Sequence, residues 1–126
     1  MEPLQIAPTE TTPTVNLDGV KGFFEIKGKS NPANTLDFYK ILYDWIDVYA
    51  KSPAALTDVH FQFDYFNTST SKCLLTFFKK LEDISRAGKE VIINWHYEKG
   101  DDDMIEAGND FKSIIHLPFK MMELPE

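Results

Sequence analysis

Hydroxyl side chains form the densest group of chemically capable residues in this sequence. Thr68, Ser69, Thr70 and Ser71 are consecutive and directly follow Asn67. Asn, Ser and Thr accept hydrogen bonds from the first amides of a helix, so the run is typical of a helix start. A helix N-terminus also favours an anion, including a phosphate carried by one of its own hydroxyls. Two interpretations follow from these residues alone: turn and capping chemistry, or an anion or phosphorylation site.

The other residues with catalytic or ligating potential do not form a recognised motif. His60, His96 and His116 lie far apart and lack the paired spacing of a metal site. Cys73 is surrounded by apolar residues, which favours a buried thiol over a nucleophile. The run 101–103 is acidic but lacks the alternating oxygen ligands of a calcium loop, so it predicts a helix start. No metal and no cofactor are expected.

The hydroxyl run lies at a change of hydrophobic period. Apolar and polar residues alternate from Leu56 to Phe66, which predicts a half-buried strand. After the hydroxyls, apolar residues recur at helical spacing up to Gly88, and the β-branched and aromatic segment 91–97 follows. Strand, helix and strand in this order predict a βαβ unit with two parallel strands.

Parallel strands end at the same edge of a sheet, which predicts a functional rim at this edge. We expect it to gather the run 67–71 with Trp95, His96 and Tyr97, with Trp95 packed inward and His96 close to the run. The two strands are expected to contribute Val59, Phe61, Phe63 and Ile92 to the core.

The flanking segments complete an α/β domain. Residues 1–13 contain three prolines and predict an extended arm that only Leu4 and Ile6 could attach, followed by a single domain over residues 14–126. A hairpin is expected at 14–17 and 23–27.

Two further helices and a last strand are predicted. A helix-start pattern at 30–32 precedes apolar residues at helical spacing in 36–50. Its two apolar sets, Phe38, Ile41, Trp45 and Val48 with Leu42, Ile46 and Tyr49, predict a helix covered on more than one side. Another helix follows 101–103, and 114–121 predicts an edge strand. The prediction is a mixed sheet of four to five strands with about three helices packed on it.

Composition limits the class of partner. Twenty acidic and thirteen basic side chains give a net charge of −7, which disfavours nucleic acid and anionic membranes. The single cysteine and the lack of an apolar N-terminal segment predict a cytoplasmic protein.

Several motifs together resemble a known family. The motifs are the segments 65–72, 81–82, 95–97 and 118–119, together with Gly88. In combination they resemble the SiaC family of bacterial regulatory phosphoproteins, and the resemblance extends over almost the whole chain. That family is similar to STAS domains, the fold of anti-sigma factor antagonists. Thr68 matches its phosphorylated threonine, with Asn67 and Ser69 beside it, and Trp95, His96 and Tyr97 match its second motif. The chain departs at Thr70, where the family commonly has serine.

The resemblance implies a non-enzymatic partner switch. A protein kinase would phosphorylate Thr68, a PP2C-like phosphatase would remove the phosphate, and the unmodified form would bind and activate an effector such as a diguanylate cyclase. The alternative is a small enzyme or a domain that binds an anionic ligand, with His96 as acid and base. The lack of a Gly-rich phosphate loop counts against this alternative.

Overall fold

The computed structural model describes residues 1–125, which form six strands and three helices. In chain order these are β1 (Leu4–Ile6), β2 (Thr14–Asp18), β3 (Phe23–Ser30), α1 (Thr35–Tyr49), β4 (Leu56–Phe66), α2 (Thr68–Arg86), β5 (Glu90–Tyr97), α3 (Asp102–Ile114) and β6 (Phe119–Glu123). Glu126, the last residue of the predicted domain, lies outside the described residues.

A single mixed sheet carries the strands in their sequence order, β1 to β6. The pairs β1–β2 and β2–β3 are antiparallel, and the pairs β3–β4, β4–β5 and β5–β6 are parallel. The predicted fold class is confirmed, with six strands in place of four to five. The additional strand is β1, in which Leu4 and Ile6 pair with Leu17 and Val15 of β2.

All three helices pack on the same face of the sheet. Phe61 at the centre of β4 lies beside Ile26 of β3 and Trp95 of β5, and its ring meets Phe77 and Phe78 of α2. Connections between parallel strands are right-handed, so a chain that always advances in one direction puts every crossover helix on the same side. We call this the helix face and the opposite side the open face.

The core prediction for β4 is confirmed, and that for β5 is wrong by one residue. Val59, Phe61 and Phe63 are buried, whereas Ile92 is only half-buried. Ile93 pairs with Val59 and therefore shares the helix face, which leaves Ile92 on the open face beside Asp58.

The α1 helix begins later than predicted. Asn34 caps it, accepting a hydrogen bond from the Asp37 amide at 3.2 Å, whereas Ser30 is the last residue of β3 and is buried. The segment 30–33 is therefore strand end and loop.

The same helix is covered on one side only. Ile41 and Val48 are 49% and 54% exposed, so the prediction of cover on more than one side is wrong for them. Tyr39 and Tyr43 are buried in their place. Because α1 packs against the sheet and α2 on its inner side, these outer apolar residues face solvent.

The C-terminal strand starts later than predicted. Helix α3 continues through Ile114, and β6 covers Phe119–Glu123. Pro118 lies just before the strand, where its carbonyl accepts a hydrogen bond from the Ile93 amide at 2.9 Å. Proline has no amide for a ladder, which accounts for its position ahead of β6.

Candidate phosphorylation and partner-binding site

Asn67 fixes the start of α2. Its side-chain oxygen accepts a hydrogen bond from the Thr70 amide at 2.7 Å, as an N-cap residue does. Its own amide donates to the Ser30 carbonyl at 3.1 Å, and its side-chain nitrogen donates to the Asn31 side chain at 2.9 Å. The start of α2 is therefore attached to the end of β3.

The four hydroxyls of the run have different environments. Thr68 and Ser69 are exposed, Ser71 is half-buried and Thr70 is fully buried. Because a kinase has to reach the oxygen that it modifies, only Thr68 and Ser69 are fully presented to such a partner.

The buried Thr70 hydroxyl belongs to an internal hydrogen-bond network. It lies 2.8 Å from the Ser30 hydroxyl and 3.2 Å from the Ser30 carbonyl, and the Ser30 hydroxyl lies 2.8 Å from that of Tyr39. Burial raises the pKa of Tyr39, so its hydroxyl keeps its proton. The network joins β3, α1 and α2 and gives Thr70 a structural role.

The electrostatics at the start of α2 suit an added anion. The amides of Thr68 and Ser69 precede the first hydrogen bond of the helix, which runs from the Ser71 amide to the Asn67 carbonyl at 3.1 Å. No acidic side chain lies in the first turn. The partial positive charge of a helix N-terminus would therefore stabilise a phosphate there.

An extra residue in β4 shapes the approach to the site. The register with β3 shifts so that Gly28 pairs with Phe63 and Lys29 with Tyr65, which leaves Asp64 unpaired. As a result Phe63 and Phe66 both point to the helix face, where their rings lie 5.2 Å apart. Asp64 and Tyr65 are exposed instead.

Trp95 packs inward, as predicted. It is 1% exposed, and its indole nitrogen donates to the Met104 carbonyl at 3.0 Å. Its ring also meets Phe66 at 6.1 Å, edge to face. Trp95 thus supports the residue that directly precedes Asn67, but it presents no surface to a partner.

His96 makes its contacts on the open face. Its Nε2 lies 2.9 Å from Nδ1 of His60, whose Nε2 lies 3.0 Å from the Asp58 carboxylate. Burial and the neighbouring His60 lower the pKa of His96. The side chains of Trp95 and His96 point to opposite faces because residues alternate along a strand.

The ends of β4 and β5 are also staggered along the sheet. Phe61 pairs with Trp95, so Tyr97 lies near the level of Phe63 and β4 continues for three more residues, roughly 10 Å. Tyr97 is half-buried, and its carbonyl accepts a hydrogen bond from the Leu124 amide. The expected single rim therefore divides: the hydroxyl run lies beyond the end of β5, His96 points to the open face, and Tyr97 packs against the core on the helix face.

His60 was not predicted as part of any cluster. It alternates with Phe61 and stacks on His96 with ring centroids 5.1 Å apart. The alternation in β4 puts His60 opposite to Phe61, but the pattern of β5 does not fix the face of His96, and only the register between the strands brings the two histidines together. Within residues 1–125 no group of three or more His, Cys, Asp or Glu side chains is arranged to hold a metal ion.

No helix in this part of the chain is both long and apolar enough to cross a bilayer.

The fold and the site define a class of protein: a STAS-like α/β domain with its helices on one face and reachable hydroxyls at a helix N-terminus. The model of the SiaC family of regulatory phosphoproteins matches residues 6–124, and the chain belongs to that family.

Individual relatives are similar to this chain in sequence and in fold. The uncharacterized protein PA14_02130 of Pseudomonas aeruginosa (strain UCBPP-PA14) is 25% identical over 119 residues, which are 94% of each chain. The structure of apo-SiaC from Pseudomonas aeruginosa superposes with a TM-score of 0.88 at 24% identity, covering 97% of this chain and 99% of that one. SiaC in complex with the diguanylate cyclase SiaD, which it activates, gives a TM-score of 0.90 at 24% identity over 96% and 99% of the two chains.

Proposed function

We propose that this chain is a non-enzymatic cytoplasmic activator of a diguanylate cyclase and that phosphorylation of Thr68 switches it off. A protein kinase adds the phosphate, a PP2C-like phosphatase removes it, and the unmodified form binds the cyclase. The observation that carries this proposal is that Thr68 is exposed at the first position of α2. The nearby Thr70 is buried and therefore cannot accept the phosphate. SiaC of Pseudomonas aeruginosa, with the same fold, activates its cyclase in a complex.

The local structure supports a switch that acts on the surface. A phosphate adds about two negative charges at neutral pH and is tolerated at a helix N-terminus, so the domain stays folded. A partner fitted to a neutral hydroxyl would have to desolvate a dianion, and each ~1.4 kcal/mol of this cost weakens binding tenfold. The exposed Asp64 adds negative charge near the end of β4.

The test uses a kinase and a diguanylate cyclase from the same genome. Intact mass after incubation with kinase and ATP should rise by one phosphate in the wild type and in Ser69→Ala, and stay unchanged in Thr68→Ala. In pull-downs Thr68→Ala should retain the cyclase and Thr68→Asp should lose it.

Two results would contradict the proposal. Normal labelling of Thr68→Ala would move the acceptor to a neighbouring hydroxyl, with Ser69 next. Normal cyclase binding by both Thr68→Asp and the phosphorylated wild type would remove the charge argument.

A further inference from the structure

The open face of the sheet has no cover within this chain. The four strands β3 to β6 are parallel, and parallel sheets are almost always covered on both faces. The open face also carries apolar side chains, of which Tyr65, Met122 and Leu56 are 50%, 39% and 38% exposed. Both features favour a second layer on this face, supplied by another chain.

Charged side chains on the open face are separated by sign along the strands. Lys27 and Lys29 are exposed and lie toward the end of β3. Three carboxylates lie toward the start of the same strand: Glu25 on β3, and Asp18 on β2 and Asp58 on β4, which flank Phe23. Over β2 to β4 the open face is therefore acidic at one end and basic at the other.

These charges are not neutralised by their neighbours. In the described part of the chain Glu25, Lys27 and Lys29 form no salt bridge. Lys120 of β6 lies at the level of Glu25 but three strands away, roughly 14 Å. Glu25 and Lys27 leave β3 side by side, about 7 Å apart, so a surface with the reverse order of charges pairs with both at once.

We infer that the open face binds the open face of a second copy of this chain, with the strands of the two copies antiparallel. In this dimer the two-fold axis lies in the interface, perpendicular to the strands, and crosses β3 between Glu25 and Lys27. A two-fold interface puts residue i against residue j and residue j against residue i. Each Lys27 therefore meets Glu25 of the other copy, and each Lys29 meets Phe23 with its two flanking carboxylates.

The order of charges selects this arrangement over the other two-fold packing of the same faces. An axis parallel to the strands would put the acidic end on the acidic end and the basic end on the basic end. Like charges placed against each other in an interface cost affinity. Only the antiparallel arrangement pairs unlike charges at both ends.

The size of the face predicts a weak dimer. The six strands span about 24 Å across the sheet, and the stretch from Phe23 to Lys29 spans about 20 Å along it. Two such faces bury roughly 1,000 Å² in total, which is at the low end for specific interfaces. The dimer therefore forms at high protein concentration, and salt weakens it.

The dimer leaves the hydroxyl run accessible. Thr68 begins α2 beyond the end of β4, and α2 lies on the helix face. Because the strands of the two copies run in opposite directions, the two hydroxyl runs lie at opposite ends of the dimer. The inference therefore does not rest on the proposed function, and Thr68→Asp should dimerise as the wild type does.

Sedimentation velocity of the full-length protein at low salt tests the dimer between about 10 µM and 1 mM. The weight-average mass of the wild type should rise from that of one 14.5 kDa chain toward twice this value. Addition of salt to about 0.5 M should return it toward the monomer. A wild type that stays monomeric over the whole range would overturn the inference.

Charge reversal tests the arrangement of the two copies. Glu25→Lys puts amines against amines and Lys27→Glu puts carboxylates against carboxylates, so each variant alone should dimerise about tenfold more weakly or worse. An equimolar mixture of the two variants should recover the dimer, because both contacts of the mixed dimer again pair unlike charges. The double variant Glu25→Lys/Lys27→Glu should dimerise as the wild type does, for the same reason.

The outer face of α1 provides matched controls. Lys40 and Asp44 form an exposed pair there at 3.4 Å, and Lys40→Glu and Asp44→Lys should leave the dimer unchanged. Equal losses in these controls would overturn the inference, as would a mixture that dimerises no better than its two components. Recovery in the mixture also requires that both variants are folded, so it supports the interface directly. Loss of the cyclase by a dimeric Thr68→Asp protein would support the proposed function and leave the dimer intact.

Discussion

Substitution of Thr70 tests the distinction between the buried and the exposed hydroxyls of the run 67–71. Thr70→Val replaces the hydroxyl with a methyl group of similar size and removes its bonds to the Ser30 hydroxyl and carbonyl. Both Ser30 groups keep another partner, since the hydroxyl still meets Tyr39 and the carbonyl still accepts from Asn67. No buried group is left without a hydrogen bond.

The expected loss in the free energy of unfolding follows from the number of hydrogen bonds that Thr70→Val removes. Two hydrogen bonds contribute roughly 0.5 to 1.5 kcal/mol each, and retained partners place the sum at about 1 to 2 kcal/mol. This raises the unfolded fraction about 5- to 30-fold. Ser30→Ala should cost more than Thr70→Val, because it leaves the buried Tyr39 hydroxyl without its bond to Ser30.

Urea unfolding followed by tryptophan fluorescence measures these differences. The midpoints should fall in the order Thr68→Val, Thr70→Val, Ser30→Ala, with Thr68→Val within about 0.5 kcal/mol of the wild type because Thr68 is exposed. Kinase labelling should stay normal in Thr70→Val. If Thr70→Val is as stable as Thr68→Val, the network does not hold α2 to β3.

Three further outcomes follow from the core and the open face. Phe61→Ala should lower the free energy of unfolding by about 3 to 5 kcal/mol, measured in urea. Gly108→Ala should cost about 1 to 3 kcal/mol and shift the tryptophan emission, because a Cβ there would lie 2.5 Å from Trp95. The lowered pKa of His96 means that the unfolded chain binds protons more readily, so stability should fall as the pH drops below about 6.5. His96→Gln should reduce this pH dependence.

Each of these outcomes has its own control. Gln62→Ala, on the open face beside Phe61, should change stability by no more than about 0.5 kcal/mol. A stable Gly108→Ala protein with unchanged emission would contradict the close packing of α3 on β5. Proton titration of the His96 ring by NMR checks the last outcome, and a pKa at or above the ordinary histidine value of about 6.5 would refute it.

Periodicity predicted the elements that carry the site. The change from alternation in β4 to helical spacing in α2 located the hydroxyl run at a helix start, and Asn67 caps that helix. These features depend on residues close in sequence, where steric and hydrogen-bonding preferences act directly.

Features that depend on distant residues were not predictable. Helical spacing from Leu74 and Phe77 puts Thr70 on the buried side of α2, but Ser30 is 40 residues away, so no local pattern indicates the hydrogen bond between them. The extra residue at Asp64 leaves Tyr65 50% exposed although it continues the alternation of β4. In β5, apolar residues occupy both faces, and only pairing with β4 distinguishes Ile92 from Ile93.

The strand order has a consequence for how the chain assembles. Because the sheet runs from β1 to β6 in sequence order, every strand pairs with the one just before it in the chain. A chain that leaves the ribosome N-terminus first therefore has the next pairing edge in place before each new strand emerges, and each parallel closure spans one helix. The entropic cost of loop closure stays low at each step. The sheet can therefore form by successive local pairings before its C-terminal strand has been synthesised.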